Sequence, residues 1–176
     1  VSAAVTTHPQ FGTATLELRR EVRLDVATCR AESYAGPAAY PKVTSGTLRE
    51  DLFRRDFTIN AMAVALAPER FGARVDPFSG AMDLAARRLR ILHPRSFIDD
   101  PSRILRAARF ATRYGLHLEV GTRRALQAAL AGGLLGRLNR GRLRKELDHM
   151  LHEPDPVACL DGLGRWLAAA GTTPSP

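Results

Sequence analysis

The residues with the most chemical potential lie in FIDDPSRILRAARFATRYG, residues 97–115, where Asp99 and Asp100 precede a proline and arginine returns at 103, 106, 109 and 113. At about 100° per residue, Arg103, Arg106, Arg109 and Arg113 share one side of a helix. Asp99 and Asp100 fall near the same arc, and Ile104, Leu105, Ala108 and Ala111 lie opposite. With few acidic residues along the helix body, the spacing predicts a positive face left largely unneutralised and suited to an anion. Asp100 and Arg103 also make an acceptor and donor pair able to read a base edge. Adenine and cytosine each present an exocyclic amine beside a ring nitrogen, matching a carboxylate beside a guanidinium, whereas guanine and uracil put a carbonyl where the amine would be. Asp100 before Pro101 equally fits a helix N-cap followed by proline at the first helical position, and a cap can face a ligand.

The chain that must position these groups has 176 residues, 45% of them hydrophobic, enough for one ordinary domain or two small ones. Its formal charge is +8, and Lys42 and Lys145 are the only lysines among 26 basic residues, a balance that favours a polyanionic partner. Cys29 and Cys159 stand far apart with no CxxC pairing, so a reducing cytoplasmic setting is expected rather than a disulfide framework or a zinc site. No apolar run approaches the roughly 18 residues that span a bilayer, and the first residues do not read as a leader, so no membrane association is expected.

Residues 11–19 and 22–28 alternate like two strands with Arg19, Arg20 and Glu21 at the turn, and residues 30–46 read as a long loop. Thr47 and Glu50 are spaced as a capping box that opens a helix. INAMAVAL and ARVDPF read as short strands, with a turn in DPFSG. The segments 81–88, 101–114, 121–131, 140–152 and 156–169 read as helices, separated by glycine or proline. Leu160, Leu163, Trp166 and Leu167 recur at helical spacing and are expected in the core, while His149 and His152 read as a solvated helix end. The expected architecture is therefore α+β: a mixed unit over residues 1–90 and an all-helical unit over 91–176, with 171–176 frayed.

FGTATLEL, LDVATCRAESYAGPAAYPKV, EDLFRRDFTINAMAV, VDPFSGAMDL and LHPRSFIDDPSRILRAARFA together resemble the bacterial tRNA nucleotidyltransferase and poly(A) polymerase family, and RGRLRKELDHML continues the likeness more weakly. The resemblance implies part of a polymerase-β-like nucleotidyltransferase head, a few-stranded mixed sheet with helices, followed by a helical neck. It implies template-independent addition of nucleotides from ATP and CTP to the 3′ end of tRNA, or poly(A) synthesis, with Mg²⁺ as cofactor. RRDFTIN then assigns Arg54, Arg55, Asp56 and Asn60 to the sugar and triphosphate of the incoming nucleotide. The acidic-Asp-x-x-Arg motif places Asp100 and Arg103 as the protein template, with Asp99 where the family usually carries glutamate. Arg106 is grouped with the nucleotide, Arg109 and Arg113 with RNA, and Asp25 with an acidic strand position beside the metals. Residues 30–46 match a flexible loop implicated in switching from C to A addition.

The family's glycine-rich GGxVRD-like segment and DxD pair do not occur in these residues. The expectation is therefore a piece of a longer or split enzyme, inactive alone and completed by an N-terminal segment. The rival reading is a non-catalytic RNA-binding module that uses the same arginine helix.

Overall fold

The computed structural model describes residues 4–18 and 22–171. The expected turn at 19–21 and, of the tail expected to fray, residues 172–176 lie outside the described residues. Three strands, β1 (Ala4–His8), β2 (Thr13–Leu18) and β3 (Val22–Ala27), form an antiparallel sheet in that order, with Thr15 opposite Asp25. β1 was not anticipated from the sequence. The stretch read as a loop contains a second hairpin, β4 (Arg30–Ser33) paired with β5 (Lys42–Ser45), so that only its eight-residue connection, 34–41, is irregular. Glycine and prolines at 36, 37 and 41 mask the short period-two runs on either side.

Helix α1 (Leu48–Phe53) opens on the capping box expected from Thr47 and Glu50. It stops at Arg54 because the following chain pairs elsewhere: Phe57 bridges Ile91, and the Thr58 amide donates to the Arg90 carbonyl at 2.9 Å. INAMAVAL is mostly not a strand. Thr58–Asn60 makes one 3₁₀ turn, and only β6 (Ala63–Val64) extends, paired with β7 (Arg74–Val75). A Cβ on Gly80 would lie 2.1 Å from the Thr58 carbonyl oxygen, so glycine is what lets α2 (Gly80–Ala85) seat against that turn.

Strand β8 (Arg88–Leu89) and a short α3 (Ser96–Asp99) precede α4 (Ser102–Tyr114), which ends on Gly115 in the left-handed region. After β9 (His117–Leu118), parallel to β8, come α5 (Val120–Ala131), α6 (Arg140–Leu151) and α7 (Pro156–Ala169). These four longest helices start and end within two residues of the segments read from periodicity. One apolar core runs through both halves: Phe57, Leu89 and Phe97 pack with Ile104, Leu105, Leu126, Leu130, Met150, Cys159 and Leu163. Each such side chain contributes about 1.5–3 kcal/mol by leaving water. Trp166 and Leu167 pack against this core as expected, but Leu160 is 40% exposed. Among the described residues both cysteines are free, and no helix is long and apolar enough to cross a membrane.

Candidate nucleotide-binding cleft

The mouth of α4 is built by a change of direction. Asp99 is the last residue of α3, Asp100 is extended (φ −136°, ψ 93°), and Pro101 starts the turn into α4. The helix opens one residue later than the sequence suggests, with Pro101 rather than Asp100 at its N-cap. Oδ1 of Asp100 accepts from the Ser102 amide at 3.0 Å and from Ser102 Oγ at 2.5 Å. Arg142 of α6 reaches the same Oδ1, also at 2.5 Å. Arg103, 4% exposed, donates to Ser96 Oγ and to the Arg54 carbonyl, each at 2.6 Å. Its guanidinium is therefore fixed by neutral oxygens rather than by an internal ion pair, and Asp100 and Arg103 both line one open cleft of about 590 Å³.

The RRDF corner forms the wall beside them. Asp56, 4% exposed, accepts from the Phe57 amide at 2.8 Å and Asn60 Nδ2 at 3.0 Å through Oδ1, while Oδ2 takes Arg106 Nε at 2.8 Å and Nη2 at 2.5 Å. Arg54 is held by Glu32 at 3.2 Å and Asp51 at 3.1 Å, and Arg55 by Asp51 at 3.4 Å and the Asn60 carbonyl at 3.2 Å. Arg54, Arg55, Asp56, Asn60, Asp100, Arg103 and Arg106 thus converge on the same space. The cleft wall carries six cationic side chains, these four arginines with Arg142 and Lys145, against the four carboxylates of Glu32, Asp56, Asp100 and Glu146. That excess suits a polyphosphate.

Sequence reasoning missed the far wall, Arg142, Lys145 and Glu146 of α6, and the contribution of Glu32 and Tyr34 from the first hairpin. The spacing of Arg142 and Glu146, four apart in RGRLRKELDHML, was the available signal. Burial pushes the Tyr34 hydroxyl up to about 12, with Glu32 adding to the rise and Arg103 opposing it. Tyr34 therefore stays protonated and donates to Glu32 Oε2 at 2.9 Å.

Three expectations need correction. Asp99 does not line the cleft with Asp100: because α3 ends between them, Asp99 faces an adjoining cavity of about 410 Å³ that shares Glu32, Tyr34, Arg54 and Arg103 with the cleft, and lies 3.4 Å from the Arg95 guanidinium. There burial lowers the His93 pKa, with Arg103 and Arg95 adding to the fall and Asp99 opposing it. The arginine stripe of α4 is also not left unneutralised. Arg106 pairs with Asp56 and lies 3.7 Å from Glu146, while Arg109 and Arg113 lie 3.8 and 3.3 Å from Glu153. Positive charge is open elsewhere: Arg137, Arg140, Arg144 and Lys145 are exposed, with no ion-pair partner among the described residues. Lys145 also lines the cleft.

Asp25, finally, sits on β3 with its carboxylate 66% exposed, accepting from Thr15 Oγ1 at 2.7 Å and paired with Arg23, and it does not line the cleft. The Thr15 hydroxyl, against an opposing desolvation and with help from Arg23 and His8, holds its carboxyl below the usual value. No group of three or more His, Cys, Asp or Glu among the described residues converges to hold a metal ion. The donor set among the described residues therefore does not fit a two-magnesium centre.

Asp51 shows what holds the Arg54 and Arg55 wall in place. Burial raises its pKa, but the Arg30 amide at 3.1 Å and the Arg54 and Arg55 guanidiniums outweigh that and leave it below 3.8. A depressed folded-state pKa gives stability that is full above the unfolded value and is lost as pH falls through the folded one. Asp51→Asn is expected to be less stable than wild type at pH 7, with the gap closing as pH drops below about 4, as measured by urea unfolding across pH.

Residues 1–90 match the sequence profile of the poly(A) polymerase head domain. The A-adding tRNA nucleotidyltransferase of Halalkalibacterium halodurans is 43% identical over 172 residues, covering 94% of this chain and 40% of the relative. The CC-adding tRNA nucleotidyltransferase of Deinococcus radiodurans is 39% identical over 160 residues, covering 89% and 42%. Among solved structures, a CCA-adding enzyme in apo form II superposes with a TM-score of 0.90 at 40% identity, over 96% of this chain and 40% of that one. A tRNA nucleotidyltransferase complexed with a primer tRNA and an incoming ATP analog gives a TM-score of 0.84 at 41% identity, over 95% and 46%. This chain spans less than half the length of each of these relatives.

Proposed function

Since this chain belongs to the poly(A) polymerase head-domain family, we propose that it is the nucleotide-selecting part of an enzyme that adds nucleotides from ATP and CTP to the 3′ end of tRNA. The observation that carries the reading is that Asp100 and Arg103, three residues apart, line one cleft with an excess of cationic over acidic side chains. Asp100 would accept from the exocyclic amine of adenine or cytosine, and Arg103 would donate to the neighbouring ring nitrogen. A guanine or uracil carbonyl would face the carboxylate unpaired, which is the strong form of rejection. Arg54, Arg55 and Arg106 line the cleft and suit the triphosphate although each already pairs with a carboxylate. Lys145, with no ion-pair partner among the described residues, supplies the open charge beside them, and Asn60 suits a ribose hydroxyl. The magnesium expected of the complete enzyme belongs to carboxylates other than those described. The division into head and neck near residue 90 and a reducing cytoplasmic setting are part of the same proposal. They are supported by the extent of the profile match and by the two unpaired thiols.

The test is a chimera in which this chain replaces the matching segment of the H. halodurans relative. Given tRNA lacking its 3′ end, magnesium and labelled nucleotides, it should incorporate A or C and leave G and U, while the 176-residue chain alone should incorporate nothing. A folded chimera that uses all four nucleotides equally, or none, contradicts the proposal.

For RNA, the open ridge of Arg137, Arg140, Arg144 and Lys145 replaces the α4 stripe as the backbone contact, because its charges are not spent internally. Arg140→Ala with Arg144→Ala is expected to weaken tRNA binding and to reduce the slope of log K against log salt by roughly 1–2. Binding measured at several salt concentrations checks this, and an unchanged slope places the RNA elsewhere.

A further inference from the structure

We propose that Arg142 is a positioning residue for base selection: it holds one oxygen of the Asp100 carboxylate so that the other is aimed at the incoming base. This rests on the reading of Asp100 as the base-reading group. Three donors converge on Oδ1 of Asp100, the Ser102 amide, the Ser102 hydroxyl and the Arg142 guanidinium, at 3.0, 2.5 and 2.5 Å. The Ser102 contacts are a local turn that either carboxylate oxygen can serve, so alone they leave the group free to exchange its two oxygens. Arg142 comes from another helix and adds a charge-assisted contact at one fixed place, which removes that equivalence. Oδ2 takes no part in these contacts and keeps its accepting capacity for an amine.

Arg142 is itself held. Its side chain is 23% exposed, its guanidinium lies 5.8 Å from the centre of the Tyr40 ring, and Tyr40 belongs to the connection of the β4–β5 hairpin. That connection is tied to α3 by the Ala38 amide, which donates to the Ile98 carbonyl at 3.1 Å. The orientation of the template carboxylate is thus set by α6 and the turn at Asp100, with the exposed Tyr40 ring of the hairpin connection beside Arg142. Arg103, already fixed through Ser96 and Arg54, needs no such support.

Dissociation constants for ATP, CTP, GTP and UTP test this in the wild-type chain, Arg142→Ala, Arg142→Lys, Asp100→Ala and the Asp100→Ala, Arg142→Ala double variant. Arg142→Ala is expected to reduce the preference for ATP over GTP and for CTP over UTP about tenfold. Arg142→Lys should recover most of that, and Arg142→Ala should change the two ratios no further where Asp100 is already alanine. A ratio taken within one preparation cancels any loss of folded protein. An unchanged ratio in Arg142→Ala, or an equal loss for all four nucleotides as from a phosphate contact, overturns the assignment of Arg142 while leaving Asp100 intact. A wild-type ratio in Asp100→Ala removes the base-reading assignment and Arg142's role with it.

Discussion

Asp56→Ala is expected to lower the midpoint of thermal unfolding by roughly 10 °C, the largest stability effect of any single change in the cleft wall. The Asp56 side chain is buried and accepts four hydrogen bonds, two of them from one face of Arg106. Deleting it leaves the Phe57 amide, the Asn60 amide nitrogen and a half-buried guanidinium without their acceptor, and breaking a buried pair from one side costs about 3–5 kcal/mol. In a chain of this size each kcal/mol shifts the midpoint by about 2–4 °C. Asp56→Asn can still accept from Phe57 and should lose less. Scanning calorimetry on both variants checks the ordering, and equal midpoints for wild type and Asp56→Ala would mean the network is not formed. Because Arg106 and Asn60 are aimed at the cleft by the same carboxylate, nucleotide affinity should fall with stability.

The largest functional effect is expected at Asp100. Asp100→Ala should erase discrimination between ATP and GTP and between CTP and UTP, a loss of roughly 100-fold, since the rejected bases no longer face a carboxylate. The change also removes the acceptor for the Ser102 amide, a hydrogen bond worth about 1 kcal/mol. Asp100→Asn separates these consequences. It retains that acceptor but offers an amide donor to the base, so discrimination should move toward guanine and uracil while stability stays closer to wild type. Competition binding with the four nucleotides, beside thermal unfolding, reads both, and retained discrimination in both variants would exclude Asp100 as the reading group.

How far the sequence exposed this arrangement varies with the range of the interactions. α4 to α7 were legible because apolar periodicity, Gly115, the glycines at 132 and 133, and Pro154 are local signals. The capping box at Thr47 and Glu50 was legible for the same reason. The electrostatic state of the α4 stripe was not, because its neutralising carboxylates lie 40 to 50 positions away at Glu153 and Asp56. Charge counted along one helix says nothing about charges that tertiary packing brings beside it. Asp99 and Asp100 diverged because a helix end falls between them, and boundaries are the least legible feature of any element. The first hairpin was hidden by the glycine and prolines of its connection, and with it went Glu32, Tyr34 and Tyr40. Asp100 and Arg103 could be singled out from residue type and close spacing, whereas the RRDF corner that lines the same cleft was pointed to by the family resemblance alone. What sequence alone could not supply is the partner that holds Asp100, since Arg142 approaches from a helix 42 positions later.

The central claim is that a carboxylate and a guanidinium in this cleft distinguish bases by their hydrogen-bonding edge. Titration of the wild-type chain with each of the four nucleoside triphosphates tests it most directly, by isothermal calorimetry at one fixed salt concentration. ATP and CTP should bind at least tenfold more tightly than GTP and UTP, with purine size making little difference within either pair. Equal affinity for all four, or a preference that sorts purines from pyrimidines, would contradict it.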